Sequence, residues 1–464
     1  MPDTSTTSEG RNSALVRALS TWDGTLLTIG SIVGTGVFMT TGDMVAAFPH
    51  AGAILGVWIV AGLLTLAGAP TYGELGAMYP QAGGLYVFLR EAYGPLWGFL
   101  YGWSGFLVIM SGGVAAIAVG FGEVLGGFLP WFSGQRHYAS IELGGWTWTL
   151  SGAQIAAALA ILVLTAINHL GVEEGKKTQN VLTLIKIGSI VALGLAGLFV
   201  AAPTTPKFFA AIPALGEGRG LLAAIGVAMI SALWTFDGWY GITFSAGEMK
   251  DPSRSLPRSL FAGTLIVSLL YLLANWVYLR ALPLESLAGT TQVADAAARA
   301  LFGDGAARLL GVAILISTLG CLASTILYSS RLYHPMAQDG LFFRSLAKID
   351  PVRKVPVAGL WASSLWGIVL ALSGTFAQLY TYVVFASVVF HAATGFALFV
   401  LRKKHPNLPR PYRAWGYPWV PALFVLASLV LVVNTLIEKP VESLAGLGLV
   451  ALGLPAYAMW RRQK

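Results

Sequence analysis

Twelve apolar stretches, each long enough to cross a bilayer as a helix, recur along this 464-residue chain. They centre near Val33, Leu63, Met110, Leu162, Leu193, Met229, Leu269, Ile316, Trp366, Val389, Leu426 and Leu449. A hydrocarbon core about 30 Å thick needs about 20 residues at a rise of about 1.5 Å each. Charged residues make up only 11% of the chain, against about 25% in a soluble domain. So few cannot cover a water-facing surface, which excludes a sizeable soluble domain. Helices that pair their own N–H and C=O groups solve the backbone problem inside lipid. The expectation is an all-α polytopic membrane protein with 12 transmembrane helices.

The net charge of +8 follows topology rather than an anionic partner such as nucleic acid. With an even number of spans both termini share one side. That side carries 21 Lys and Arg, and the other carries seven: Arg136, Lys207, Arg219, Arg280, Arg299, Arg308 and Lys439. Lys186 alone is assigned to the inside of a span. The asymmetry predicts both termini in the cytoplasm, with the chain in the plasma membrane, the inner membrane of a bacterium. Residues 1–20 read as a polar, disordered cytoplasmic tail with no cleavable leader. The single cysteine, Cys321, allows no intramolecular disulfide and reads as a small core residue of the eighth stretch.

Two of the twelve stretches are broken in the middle. The first contains Gly30-Ser31-Ile32-Val33-Gly34-Thr35-Gly36, and the sixth contains Phe236-Asp237-Gly238-Trp239. A glycine costs a helix about 1 kcal/mol relative to alanine. An unwound turn in lipid frees backbone groups that something polar must meet. A stop near Ile32 and a restart near Gly36 would offer free N–H groups to a carboxylate. The carbonyls of the first half would suit an ammonium group or a cation. A zwitterion matches that pair; a small-residue packing face is the alternative. Breaks in the first and sixth spans occupy equivalent positions if spans one to five and six to ten are inverted repeats. The domain limits are then 1–20 for the tail and 21–464 for a single transporter domain, made of repeats at 21–202 and 219–404 and two additional helices at 417–462.

Candidate substrate-binding residues are therefore Ile32, Val33, Gly34, Thr35, Gly36, Trp234, Thr235, Phe236, Asp237 and Tyr240. Asp237 at mid-bilayer must be neutral, paired or hydrated. It can contact a substrate amine, or cap the restarting half-helix. Trp234 and Phe236 can wall the site, or pack in the core. Lys186, read as lying a few residues into span five, is a proton carrier or a stand-in for a bound cation; the alternative is snorkelling. Glu74, Arg90 with Glu91, and Glu248 with Lys250, Asp251 and Arg254 form inward-gate salt bridges or solvated interfacial charge. His391 reads as a satisfied core histidine. Short helices along the cytoplasmic face are expected in the connection 79–95, between its Pro and Gly-Gly opening and its Gly-Pro close, and at 341–346. Metal-ligand spacing, a nucleophile elbow and a P-loop lysine motif are all missing from the sequence, so neither an enzyme nor a nucleotide-driven pump is expected. No cofactor is called for.

At these residues the chain resembles an amino acid–polyamine–organocation (APC) superfamily permease. Ile29-Gly30-Ser31-Ile32-Val33-Gly34-Thr35-Gly36-Val37-Phe38 resembles the first-helix signature. Tyr72-Gly73-Glu74-Leu75 through Gly94-Pro95 resembles the segment leading into helix three. Phe236-Asp237-Gly238-Trp239, then Gly247-Glu248-Met249-Lys250-Asp251-Pro252 and Leu256-Pro257, resembles helix six and its exit. Within the superfamily the chain is most similar to the L-type amino acid transporter branch and its bacterial serine/threonine exchanger-like members. The resemblance implies a LeuT-type fold, a 5+5 inverted repeat with discontinuous helices 1 and 6. It implies secondary amino-acid transport by alternating access, first as exchange and otherwise as proton symport. Ile32, Gly34, Thr35 and Gly36 would hold the α-carboxylate and amine, and Trp234 would be an aromatic gate. Asp237 falls where members carry glycine or an acid, and Lys186 matches a helix-five lysine. Animal members pair with a glycoprotein through an extracellular cysteine; this chain has none there, so no disulfide-linked heavy subunit is expected.

Overall fold

The computed structural model describes residue 17 and residues 19–143, 146–200, 203–210 and 220–462. The expected tail at 1–16 and 18, Arg219, and the repeat limits at 202 and 219 lie outside the described residues. Among the described residues, 10 helices are long and apolar enough to cross a membrane, and one bent pair makes 11. The ninth predicted stretch forms Val357–Ser373, whose 17 residues fall just short of that length. The chain is an all-α multi-pass membrane protein.

The first span runs Thr21–Met39 and then Thr41–Ala47, with a 53° bend between them. Ser20 starts it with a reciprocal cap: its hydroxyl accepts from the Asp23 N–H, and Asp23 accepts from the Ser20 N–H. The second span, Ala51–Met78, packs along the seventh, Pro252–Ala281. The third, Pro95–Gly126, packs on the fourth, Gly152–His169, and on the eighth, Asp304–Gln338. The fifth, Val172–Phe199, lies against the seventh and eighth. The sixth is Leu221–Glu248 and the tenth Phe376–Lys404. The eleventh, Trp419–Glu438, and the twelfth, Pro440–Arg461, sit at the margin and present Leu423, Leu426, Val430 and Leu444 outward. Such a lipid-facing surface needs no polar cover.

The short helix Leu85–Tyr93 forms as expected. Its counterpart is a single 3-10 turn, Arg344–Ala347, shifted a few residues along from the expected 341–346. Arg331 lies inside the eighth span rather than in the loop after it. A hairpin, His137–Leu143 with Trp146–Ser151, was not anticipated among the helices. Its signal is legible in hindsight: alternating residues around Gly144-Gly145.

Candidate functional site

The two glycine-rich breaks meet at the centre of the bundle. Helix stops at Ile32 and resumes at Gly36; in the sixth span it stops at Phe236 and resumes as a 3-10 segment, Gly241–Glu248. Gly238 makes the second break possible. Its φ of +88° favours glycine, and a Cβ there would lie 2.6 Å from the Ser31 carbonyl oxygen. The Ser31 hydroxyl sits 3.0 Å from the Gly238 carbonyl, joining the breaks directly. Gly36 abuts Thr235 in the same way, with a Cβ position 2.9 Å from the Thr235 Cα.

Backbone accounting shows what each break offers. In the first, the amides of Gly34, Thr35 and Gly36 donate to no acceptor within the described protein, and the Thr35 hydroxyl is buried without a partner. The carbonyls before them are already engaged. The Lys186 ammonium donates to Gly30 and Val33 at 3.0 and 2.9 Å. The Tyr271 hydroxyl lies 3.1 Å from the Ile32 carbonyl and 3.0 Å from that of Thr235, so one group from the seventh span holds both breaks. The Cys321 thiol reaches the Ser31 carbonyl at 3.4 Å. In the second break the carbonyls of Phe236 and Asp237 accept from no described donor. The Asp237 carboxyl interacts with the Gly238 N–H and the Tyr240 hydroxyl.

The expectation that the first half-helix leaves free carbonyls for an ammonium is thus corrected: Lys186 occupies that place. The snorkelling reading of Lys186 also falls, because the residue sits mid-helix and is 0% exposed. Free acceptors lie on the sixth span instead, beside the Asp237 carboxylate.

A narrow cavity runs between the breaks, with room of about 20 Å³ for water-sized centres, enough for a single water. Ile32, Gly34, Thr35, Gly36, Trp234, Thr235 and Asp237 line it. Val33, Phe236, Tyr240 and Lys186 do not: Val33 and Lys186 meet behind the break, while Phe236 packs on Trp58 and Tyr271. Sequence reading missed Ser31, Ile109, Met110, Gly113, Ile117, Thr325 and Tyr328, and treated Cys321 as core rather than wall. The third-span residues arrive through a π-helical turn, Gly105–Ile109, which widens the helix just before Met110. Such turns recur at functional sites, but no sequence signal marks this one.

Trp234 lines the cavity and is packed from the tenth span. Its ring stacks on Tyr380 at 5.9 Å and 23°, and the Tyr380 hydroxyl donates to Asp43 at 2.9 Å. Ion pairs tie the spans together away from the cavity lining. Arg331 donates to Glu248 at 2.5 and 3.4 Å, tying the eighth span to the end of the sixth. Glu74, fully buried, accepts from Arg402 at 2.9 and 2.6 Å and from the Ala414 N–H at 2.6 Å. Arg90 pairs with Glu91 and Asp339. Glu74 and Glu248 are thus buried and paired rather than solvated, while Arg90 and Glu91 are half-buried. Asp251 is exposed and bonds its neighbour Ser253.

No group of three or more His, Cys, Asp or Glu among the described residues could hold a metal ion.

Residues 19–449 match the family model described as amino acid permease. The chain is similar to the serine/threonine exchanger SteT of Bacillus subtilis, 29% identical over 94% of this chain and 95% of that one. It is similar to the mouse b(0,+)-type amino acid transporter 1, at 27% over 93% and 85%. The mouse large neutral amino acids transporter small subunit 2 is 27% identical over 98% of this chain and 83% of its own. These relatives are transporters rather than enzymes, and their matches run nearly end to end. The chain therefore belongs to the amino acid permease family of the APC superfamily.

Proposed function

We propose that this protein is a secondary amino-acid transporter working by alternating access, and that it exchanges one amino acid for another. One observation carries the reading: the free amides and orphaned Thr35 hydroxyl of the first break face the free carbonyls and Asp237 carboxylate of the second. Donors on one side suit an α-carboxylate; acceptors on the other suit an ammonium. The backbone of any amino acid satisfies both. The contracted cavity must widen to admit one, which fits spans one and six moving apart.

In this reading Ile32, Gly34, Thr35 and Gly36 seat the carboxylate, Asp237 seats the amine with Thr235 lining the site beside it, and Phe236 packs behind the second break. Trp234 gates access. Val33 and Tyr240 support the breaks from behind. Lys186 holds the first break in its unwound form. Proton-coupled symport is the second reading, favoured by the direct Lys186 contact with the break. A lysine that releases a proton there would loosen the two carbonyls it grips.

The repeats at 21–202 and 219–404 and the additional helices at 417–462 complete the fold we propose. Both termini face the cytoplasm of a bacterial inner membrane, by a basic excess on their side that holds with Arg331 moved into the eighth span. The exchanger works without a disulfide-linked heavy subunit. Counterflow in proteoliposomes tests the function. Vesicles preloaded with unlabelled serine, threonine or large neutral amino acids should take up labelled substrate faster than empty ones. Failure of every amino acid to drive or compete for uptake would overturn it. Equal uptake into empty vesicles that follows a pH gradient would replace exchange with symport.

A further inference from the structure

Asp237 lines a second void besides the central cavity. This one lies between the second, sixth and tenth spans, offers about 30 Å³ to water-sized centres, and is walled by Thr65, Ser387 and His391 together with Leu233, Trp239 and Val384. A dry void is lined by apolar groups alone, and a polar one of more than about 10–15 Å³ holds water. Here the polar groups are in need of it. The Ser387 hydroxyl, on a residue 4% exposed, has no partner. His391 spends one ring nitrogen on Tyr72, whose hydroxyl lies 2.6 Å from Nδ1. Its Nε2 meets no described protein acceptor. The Tyr72 hydroxyl also interacts with the Thr394 hydroxyl, which can donate to it; Tyr72 keeps its own proton for Nδ1, which puts the imidazole proton on Nε2.

We propose that water in this void joins His391 to Asp237, making His391 a positioning residue that stabilises the ionised Asp237 carboxylate. The chain runs from Tyr72 O–H to His391 Nδ1, from His391 Nε2–H to water, and from water to the carboxylate. No bond other than hydrogen bonds forms, and no proton need leave the imidazole. A carboxylate at the substrate cavity thereby keeps its charge without an adjacent cation, which leaves it available to an ammonium. The inference rests on the substrate role proposed for Asp237, but the water link itself does not.

Other groups act on this pair. Tyr240 of the sixth span, Tyr101 of the third, Cys321 and Tyr328 of the eighth and Tyr72 of the second all lie within electrostatic reach of Asp237. Lys186 of the fifth reaches Cys321. Around His391 stand Tyr72, Trp239, Tyr240 and Phe424, none of them charged at neutral pH. His391 is therefore the one imidazole in the cluster that can reach the carboxylate through the void.

Infrared titration of the purified full-length protein reads this without transport. The protonated Asp237 carboxyl band is assigned by its loss in Asp237→Asn. In His391→Phe and in Ser387→Val, which fills the void and removes no titratable group, the Asp237 midpoint should rise by about one pH unit, a tenfold change. His391→Gln, which keeps a donor toward the void, should restore it to within about twofold of the wild type. An unmoved midpoint in Ser387→Val overturns the proposal, and so does a His391→Gln midpoint equal to that of His391→Phe. If wild-type vesicles show no counterflow while these shifts appear, the transport reading fails and the water link stands.

Discussion

The Lys186 ammonium lies 2.9 Å from the Val33 carbonyl, at the last turn before the first span unwinds. An unwound turn inside a bilayer leaves acceptors that lipid cannot meet. Here a cation on a neighbouring helix meets two of them, so the break is held open by the fifth span. An unpaired buried carbonyl costs about 1–3 kcal/mol. Lys186→Met should therefore lower the melting temperature and cut counterflow at least tenfold. Lys186→Arg should not restore it, because the guanidinium is bulkier and planar. Counterflow rate and thermal unfolding in detergent check both. Wild-type rates in Lys186→Met would remove the role.

Tyr271 gives a cleaner test, since its hydroxyl bridges the breaks while its ring packs on Trp58 and Phe236 at 5.5 and 5.2 Å. Tyr271→Phe keeps that packing. The expected result is an apparent affinity weakened by about 5- to 100-fold, the equivalent of a lost buried hydrogen bond. Thermal stability should move little by comparison. An unchanged apparent Km measured by counterflow would show that the breaks do not depend on this hydroxyl.

How far the site was legible beforehand follows from which signals are local. Gly34, Gly36 and Gly238 mark the breaks because they weaken a helix where they cluster, whereas Gly30 stays helical and lets Gln179 and Thr183 approach. The structure ends helix at Ile32 and Phe236 accordingly. Their partners carry no such mark. Tyr271 is one aromatic on an apolar helix, and only packing reveals that it faces two carbonyls. The depth of Lys186 was misjudged because the fifth helix begins at Val172, earlier than its hydrophobic run suggests. Charge ends an apolar run in sequence, so the run of the eighth stretch stops short of Arg331. In the fold the helix continues and Glu248 neutralises it.

Glycines around the cavity should divide sharply. At Gly238 any Cβ strains the backbone and strikes Ser31, so Gly238→Ala should abolish counterflow. Gly113 lines the same cavity, yet a Cβ there meets nothing within 4 Å. Gly113→Ala should fold as the wild type does and narrow the cavity by one methyl group. Its counterflow should shift toward smaller side chains, by about 10-fold or more between alanine and leucine. Competition by a series of unlabelled amino acids measures this. A selectivity identical to the wild type would mean that the side chain points away from the third span.

The two buried ion pairs should behave differently from one another. Glu74 accepts from Arg402 and Ala414, which anchors the end of the second span to the connection between the tenth and eleventh. Removing it strands a buried charge, at a cost of about 3–5 kcal/mol. Glu74→Ala should therefore lose stability outright. Glu248 and Arg331 join the end of the sixth span to the eighth, and the sixth must move if the cavity is to open on that side. Releasing that pair should cost less in stability than in gating. Glu248→Gln keeps one acceptor for Arg331 and should favour the state open on that side. The readout is alkylation of Cys321, the single cysteine, which is buried beside the cavity in this conformation. A membrane-permeant maleimide should label it several-fold faster in Glu248→Gln than in the wild type, while Glu74→Gln leaves the rate unchanged. Equal labelling in all three would make the Glu248–Arg331 pair a structural tie like that of Glu74.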